Sequence, residues 1–252
     1  SLEISTGRIP VKTTAEAKAV VDKITNYADA ANSFGDWRNR ICFVTDDVDE
    51  SWEARLTRDP ENVAQTIDTV YPYLNFEKIY ADSYTQSSTS GSQSYPAARE
   101  ALYRSVQRGN LITAYTGHGG EVGWASERLL QLQDINSWSN GFRLPLFVTI
   151  TCEFTRLDDP YRTSAGEQLF LNPNGGAVAL ISTTRVVFVE GALELNNIVF
   201  ENLMELENDE FLPMGEVVRR AKNGINDGDR VRFSLIGDPA LRLNIAKHDV
   251  VL

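Results

Sequence analysis

Two residues that can carry out covalent chemistry each follow a short apolar run. Residues 111–115 lead through Thr116 and Gly117 into His118, and residues 144–151 lead into Cys152. Short runs rich in β-branched and aromatic residues, separated by a helix-length segment, are typical of neighbouring parallel strands joined by a crossover. Catalytic groups collect at the carboxyl ends of strands in such sheets. We therefore expect both side chains at one edge, where the His118 imidazole can take the proton of the Cys152 thiol.

This pair suits acyl transfer. A cysteine reacts as the thiolate, so a histidine that removes its proton raises its reactivity. Acyl transfer also needs hydrogen-bond donors aimed at the oxyanion, and the backbone N–H groups of Gly119 and Cys152 are natural candidates. Because Gly119 has no side chain, a substrate carbonyl can approach its backbone.

Other chemistries lack their motifs. The sequence has no Walker phosphate loop, no GxGxxG motif after a strand and no GxSxG nucleophile elbow. Two histidines and two cysteines cannot readily supply a catalytic zinc site, so we expect no metal in the chemistry. Cys42 lies in an apolar, β-rich run and is expected to be a buried structural thiol, and His248 is expected to be exposed in the C-terminal tail.

Composition narrows the class of protein. The chain has 35 acidic and 24 basic residues and a formal net charge of −11, which argues against nonspecific binding to nucleic acid or to an anionic membrane. No apolar run reaches the roughly 20 residues that span a bilayer, and the N-terminus lacks the layout of a signal peptide. A chain of 252 residues can form one large domain, and its abrupt start suggests a domain cut from a longer protein.

Strands and helices alternate along the chain, which is the pattern of a three-layer α/β sandwich. A capping pattern at residues 13–16 predicts a first helix to about residue 31, Asp59-Pro60-Glu61 predicts a helix over 61–74, and residues 83–94 are expected to form a mobile polar loop. An acidic segment, residues 46–50, follows the first strand. It is interpreted as a solvated loop, a calcium ligand set or a source of a carboxylate for the site. Six strand candidates are found, at residues 39–45, 78–81, 111–115, 144–151 and 177–181, with a last short strand after a turn at 237–239.

Several sequence blocks resemble the gingipain family of cysteine peptidases. They are YTGHGG at residues 115–120 with Trp124 four residues on, the Cys152 block, GRIP at 7–10 and GDPAL at 237–241, so the resemblance covers nearly the whole chain. The order of histidine before cysteine also matches the caspase-like clan. The sequences after the cysteine resemble one branch of the family, the sortase of the type IX secretion system: TCEFTR at 151–156, DDP at 158–160, TSAGE at 163–167, NPNGGA at 172–177 and TTR at 183–185.

The resemblance implies a fold, an activity and a location. The implied fold is a caspase-like three-layer α/β/α sandwich with a mostly parallel six-stranded sheet. The implied activity is that of a cell-surface, outer-membrane cysteine peptidase of Bacteroidetes that removes the C-terminal secretion signal from exported proteins through a thioester. Its implied partners are those C-terminal signal domains, a lipopolysaccharide whose amine accepts the acyl group, and other type IX secretion components. No cofactor is required, although a structural Ca²⁺ could bind.

The resemblance also implies acidic residues in the site. Family members place one acid near the histidine and another in the specificity pocket, both from the segment after the first core strand. Here that segment offers Asp47, Asp49, Glu50 and Asp59, and Glu50 or Asp47 is our expected orienting acid. We expect substrate contacts from Asp59, from Glu153 beside the nucleophile, and from Thr183, at the start of a strand-end loop.

Two other functions stay open on the sequence. One is a gingipain-like endopeptidase that cleaves after Arg or Lys. The other is a noncatalytic caspase-like adaptor that binds the secretion signal, which retention of both His118 and Cys152 disfavours.

Overall fold

A six-stranded sheet forms the centre of the protein in the computed structural model, which describes residues 1–89 and 92–245. Its strand order is β6-β5-β4-β3-β1-β2, and every neighbouring pair is parallel except β5 and β6. This confirms the predicted mostly parallel α/β sheet. The strands are β1 (Arg40–Thr45), β2 (Asn75–Tyr80), β3 (Ile112–Thr116), β4 (Leu146–Ile150), β5 (Ala179–Thr183) and β6 (Phe233–Ile236).

Helices cover both faces of this sheet. Apolar side chains alternate along each strand, so that Ile41 and Phe43 face one cluster while Cys42 and Val44 face the other. The first cluster is closed by α2, α6 and α7, and the second by α1, α3, α4 and α5, which makes three layers. The helices are α1 (Thr14–Ala28), α2 (Ala54–Val70), α3 (Pro96–Arg108), α4 (Leu132–Ser137), α5 (Ala165–Leu171), α6 (Val189–Leu203) and α7 (Met214–Gly224).

Shorter elements fill the connections. One-turn helices span Ala30–Ser33, Asp36–Asn39, Ser51–Glu53, Ala81–Ser83 and Gly228–Arg232. Two-residue and three-residue strands form small antiparallel pairings at Ser87–Thr89 with Ser92–Ser94, Gly119–Gly120 with Gly123–Trp124 and Leu130–Gln131, and Leu206–Glu207 with Glu210–Phe211. The segment expected to be a polar loop at 83–94 therefore contains a small hairpin.

Two elements differ most from the sequence predictions. The second long helix begins at Ala54 rather than near Glu61, and Pro60 lies inside it. It follows directly from a 3-10 turn whose capping box pairs Glu50 with Glu53, so the helix starts there and not at the proline. The last strand precedes the Gly237 turn instead of following it, and Gly237 has a left-handed φ of +139° that ends the strand.

The order of the strands reverses between β1 and β3. The chain passes from β1 outward to β2 and then returns to add β3 on the opposite side of β1. In open α/β sheets the loops diverge at such a point, and the crevice between them, outside the carboxyl ends of the strands, is where ligands bind. The segments after β1, β3, β4 and β5 all emerge at this edge, which we call the carboxyl edge. Since β6 is antiparallel, the residues that precede it lie there too.

At the opposite edge of the sheet, hydrogen bonds join the GRIP segment at residues 7–10 to the GDPAL segment at 237–241. The N–H of Arg8 donates to the carbonyl of Leu235 at 2.9 Å, and the N–H of Gly237 donates to the carbonyl of Arg8 at 2.8 Å. This places the GRIP segment against the GDPAL turn, next to β6. Among the described residues, no helix combines the length and apolarity that a bilayer crossing requires. His248 lies outside the described residues.

Candidate active site

His118 and Cys152 lie at matching positions beyond neighbouring strands. Thr116 at the end of β3 pairs with Ile150 at the end of β4, and each candidate residue comes two positions later. The N–H of Gly117 still donates to the carbonyl of Ile150 at 3.1 Å, which holds the two chains side by side one step past the strands. The His118 side chain is 52% exposed and Cys152 is half-buried, so both are accessible to solvent at the carboxyl edge.

A carboxylate holds one nitrogen of the His118 ring. Glu53 Oε1 lies 2.8 Å from Nε2, and Glu53 Oε2 accepts the backbone N–H groups of Glu50 at 2.6 Å and Asp49 at 2.8 Å. Burial alone would raise the pKa of Glu53, but these hydrogen bonds outweigh it and hold the pKa below its ordinary value. The carboxylate is therefore ionised at neutral pH and can only accept, so Nε2 carries a proton. In the neutral imidazole this leaves the lone pair on Nδ1.

Two hydrogen bonds hold the backbone of His118 in place. Asp46 Oδ2 accepts the His118 N–H at 2.8 Å, and the Tyr115 hydroxyl donates to the His118 carbonyl at 2.6 Å. The Tyr115 ring stacks on Trp124 with 4.2 Å between centroids, and the Trp52 ring meets the His118 ring edge-on at 6.0 Å. The imidazole is thus positioned by its ring, by its backbone and by its neighbours.

Gly119 presents a free backbone donor. The carbonyl of His118 accepts from Ala125 N, and Gly119 pairs with Trp124 in the small antiparallel hairpin. Hydrogen-bonded and non-hydrogen-bonded pairs alternate in such ladders, so the Gly119 N–H points away from its partner strand. A Cβ at Gly119 would lie 2.6 Å from Thr151 Oγ1 and 2.8 Å from the Gly123 carbonyl, so this position requires glycine.

The segment around Cys152 is held in an unusual conformation. Glu153 has φ of +50°, a left-handed value that costs a non-glycine residue about 1 kcal/mol or more. Its N–H donates to the Arg185 carbonyl at 3.3 Å, and the Cys152 Sγ lies 3.8 Å from the Val187 carbonyl. Residues after β5 therefore contact both the nucleophile and the strained residue that follows it.

The structure places the expected orienting acids elsewhere. Asp47 is buried and accepts the Tyr95 hydroxyl at 2.9 Å, while Glu50 is exposed and its backbone N–H donates to Glu53 Oε2 within the capping box. Glu53 occupies the position against the ring instead. The sequence signal for Glu53 is the acidic pair Glu50 and Glu53 at capping-box spacing, and Asp59-Pro60-Glu61 offers a competing helix-start pattern downstream.

The three expected substrate contacts also have different surroundings. Asp59 lies in α2, where Arg55 and Arg58 engage its carboxylate, so it does not belong to a strand-end loop. Thr183 is fully buried, and its hydroxyl donates to the Thr151 carbonyl, so it supports the segment before the nucleophile and cannot touch a substrate. Glu153 does lie at the crevice with its side chain 27% exposed, and its role as a substrate contact stays a prediction.

Three buried carboxylates lie behind the His118 loop. Ligand oxygens of Asp46, Asp47 and Glu127 are within 4.8 Å of one another. Burial raises the pKa of Asp46 to about 7, and burial together with the neighbouring carboxylates raises the pKa of Glu127. Oxygen ligands of this kind suit Ca²⁺, so the expected calcium site stays a prediction for these residues. Asp46 and Asp47 are buried, so the solvated-loop interpretation does not hold for them, whereas Asp46 does supply a carboxylate to the site through the His118 N–H.

Cys42 confirms the structural role that was predicted for it. It is fully buried within β1, and burial raises its pKa to about 12. A thiol of this kind is inert, so Cys152 is left as the accessible cysteine.

The fold and the paired residues at the carboxyl edge define a caspase-like α/β sandwich with a cysteine and a histidine in adjacent loops. The family model described as peptidase family C25 matches residues 1–244, and the chain belongs to this family, the gingipain family of cysteine peptidases.

Solved structures share the fold. The Arg-specific cysteine proteinase gingipain R (RgpB) matches with a TM-score of 0.74 and 16% identity over 96% of this chain and 56% of that one. The complex of the pro- and mature domains of Porphyromonas gingivalis RgpB matches with a TM-score of 0.77 and 18% identity over 97% and 58%. A separase–securin complex of Saccharomyces cerevisiae matches with a TM-score of 0.55 and 11% identity over 93% and 14%.

The matched structures are longer than this chain. The chain spans somewhat more than half the length of the gingipain chains that it matches. A comparison with curated protein sequences found no match.

Proposed function

We propose that this chain is the catalytic domain of a cysteine peptidase in which Cys152 is the nucleophile, His118 the general base and Glu53 the orienting acid. The observation that carries the proposal is the placement of His118 and Cys152 two residues beyond paired strand ends, with Glu53 2.8 Å from His118 Nε2. Because Nε2 holds its proton against the carboxylate, Nδ1 is the nitrogen that accepts a proton from the thiol.

The reaction follows from these positions. His118 Nδ1 takes the proton of the Cys152 thiol, and the thiolate attacks the carbonyl carbon of the scissile peptide bond. The N–H groups of Gly119 and Cys152 stabilise the oxyanion of the tetrahedral intermediate. The intermediate collapses as the C–N bond breaks, and the leaving amine takes the proton from His118. A thioester remains on Cys152, and either water or an amine can resolve it.

We propose further that the substrates are exported proteins and that the bond cleaved precedes their C-terminal secretion signal. The support is the resemblance of residues 151–185 to the sortase branch of the family. In this proposal the protein works at the cell surface, at the outer membrane, with other type IX secretion components. An amine of a lipopolysaccharide then competes with water for the thioester, which would attach the cargo to the surface.

The test is to replace Cys152 by alanine in cells that depend on the protein, and to determine the C-termini of exported proteins by mass spectrometry. Retained C-terminal signals are expected in C152A and H118A cells. The matched control is C42A, which removes the buried thiol and should leave processing intact. Normal signal removal in C152A cells would refute the proposed cleavage.

A second experiment separates catalysis from adaptor function. Purified wild-type protein should react at Cys152 with iodoacetamide faster than the H118A protein does, because His118 generates the thiolate. Equal, slow labelling of both proteins would favour a noncatalytic adaptor.

A further inference from the structure

Large apolar side chains are exposed on the loops at the carboxyl edge, where the proposed nucleophile lies. Every loop that reaches the carboxyl edge from β1, β3, β4, β5 or β6 carries at least one of them. Exposed apolar surface that is concentrated at a site usually contacts a ligand or partner. The side chains are Trp52, Val122, Tyr161, Val186, Phe188 and Val231.

Val186 and Phe188 flank the contact with the sulfur. They lie on either side of Val187, whose carbonyl is 3.8 Å from the Cys152 Sγ and whose side chain packs against the core. Because the side chain of Val187 points inward, its two neighbours point outward, and they are 52% and 71% exposed. We call residues 184–188 the flanking loop.

Hydrogen bonds with the segment before β6 hold the backbone of the flanking loop. The N–H of Thr184 donates to the Arg232 carbonyl at 2.8 Å, and Arg232 Nη1 donates to the Val186 carbonyl at 2.7 Å. The N–H of Phe188 donates to the buried carboxylate of Asp229. A substrate that covers these side chains therefore gains apolar burial and does not have to order the loop.

Five carboxylates on the loops at the carboxyl edge are engaged by basic groups of the chain. Asp158 pairs with Arg185 and Arg156, and Glu121 lies 2.7 Å from Arg156 and 3.2 Å from Arg162. Asp229 lies 2.7 Å from Arg232, Glu190 lies 3.5 Å from Arg55, and Glu153 lies 3.9 Å from Arg156. An Arg or Lys side chain of a substrate would have to compete with these partners for any of the five carboxylates.

We propose that Val186 and Phe188 are specificity-determining residues, and that they select polypeptides with a large apolar side chain next to the scissile bond over those with Arg or Lys there. The selection rests on the proposed thiol chemistry at Cys152. Covering one exposed aromatic or aliphatic side chain corresponds to roughly a 10- to 100-fold change in the rate of reaction with a matching substrate.

The experiment uses the full chain and two kinds of thiol reagent. Peptidyl acyloxymethyl ketones that differ only in the residue whose carbonyl reacts, Leu, Phe, Arg or Lys, report side-chain selection. Iodoacetamide has no such side chain and reports the reactivity of Cys152 alone. The variants are F188S and V186S, with F142S as the matched control, because Phe142 is an exposed aromatic residue at the opposite edge of the sheet.

The wild-type protein should react at least about tenfold faster with the Leu and Phe probes than with the Arg and Lys probes. F188S or V186S should remove most of this difference while the iodoacetamide rate and the Tm stay at the F142S level. A faster reaction with the Arg or Lys probe overturns the inference, as does a variant that slows all four probes equally. Failure of iodoacetamide to distinguish wild type from H118A would instead refute the proposed function.

Discussion

Replacing Glu53 by glutamine tests whether Glu53 sets which nitrogen of the His118 ring carries the proton. The carboxylate accepts three hydrogen bonds, from the N–H groups of Asp49 and Glu50 and from His118 Nε2. In the variant, the amide oxygen can keep the two backbone donors, which turns the amide NH₂ toward the ring. Nε2 must then accept, so the ring proton moves to Nδ1, the nitrogen that should receive the thiol proton.

The expected loss follows from the surroundings of Glu53. The residue is 5% exposed, so its charge is poorly screened, and a hydrogen bond to a charged group contributes about 1.5–3 kcal/mol. At about 1.4 kcal/mol per factor of ten, losing this bond should lower the equilibrium population of the thiolate–imidazolium pair by roughly 10- to 100-fold. The altered tautomer adds to this loss, so we expect the labelling rate of Cys152 to fall by about 10- to 100-fold or more.

The assay is the second-order rate of iodoacetamide labelling at Cys152 at pH 7, resolved from Cys42 by peptide mass spectrometry. Glu50→Gln is the matched control, because Glu50 is exposed and the substitution keeps the backbone N–H that donates to Glu53 Oε2. Circular dichroism melting shows whether both variants stay folded. A Glu53→Gln protein that is folded and labels within twofold of wild type would refute the role of Glu53 as orienting acid.

Two further predictions concern a glycine and a surface carboxylate. Gly119→Ala should lower the Tm and slow the reaction with peptide probes about tenfold or more, because the added Cβ would clash with Thr151 and Gly123. Gly120→Ala should change neither quantity, because a Cβ there has no atom within 4 Å. Equal effects at both positions would contradict this reading. Hydrogen bonds from Arg219, with those from Arg220 and Ser5, lower the pKa of Glu216 to about 2 from 4.5, so its stabilisation is present above pH 4.5 and is lost as the pH falls toward 2. Glu216→Gln should therefore cost about 1–3 kcal/mol in urea unfolding at pH 7 and much less at pH 3, and an equal cost at both pH values would disprove the linkage.

Much of the sheet could be predicted from the sequence. Continuous apolar runs ended by glycine or polar residues marked the buried strands, and the capping pattern at Thr13 and Glu16 marked the first helix. The start of α2 could not be predicted in the same way, because Asp59 and Pro60 also form a helix-start pattern and lie inside the helix. The local pattern does not locate the final strand, because the runs on both sides of the Gly237 turn are short and apolar.

The acidic member of the site shows what local patterns leave open. Asp47, Asp49, Glu50, Glu53 and Asp59 are all carboxylates within 13 positions of one another, and their spacing alone does not say which one reaches His118. That contact depends on β1 lying beside β3 in the sheet and on the rotation of the turn at Ser51–Glu53. Both are set by long-range packing.

By itself, the sequence determined the chemical groups, the alternation of strands and helices, and the two strand ends that carry His118 and Cys152. The tertiary structure decided which of these groups lie in contact and how their pKa values change. Strand order places the segments after β1 and β3 at one crevice, and the return of the chain after β5 brings Val187 to the sulfur. Hydrogen bonds lower the pKa of Glu53, whereas burial raises the pKa of Asp46. These features depend on distances between residues far apart in the chain, which a local pattern does not encode.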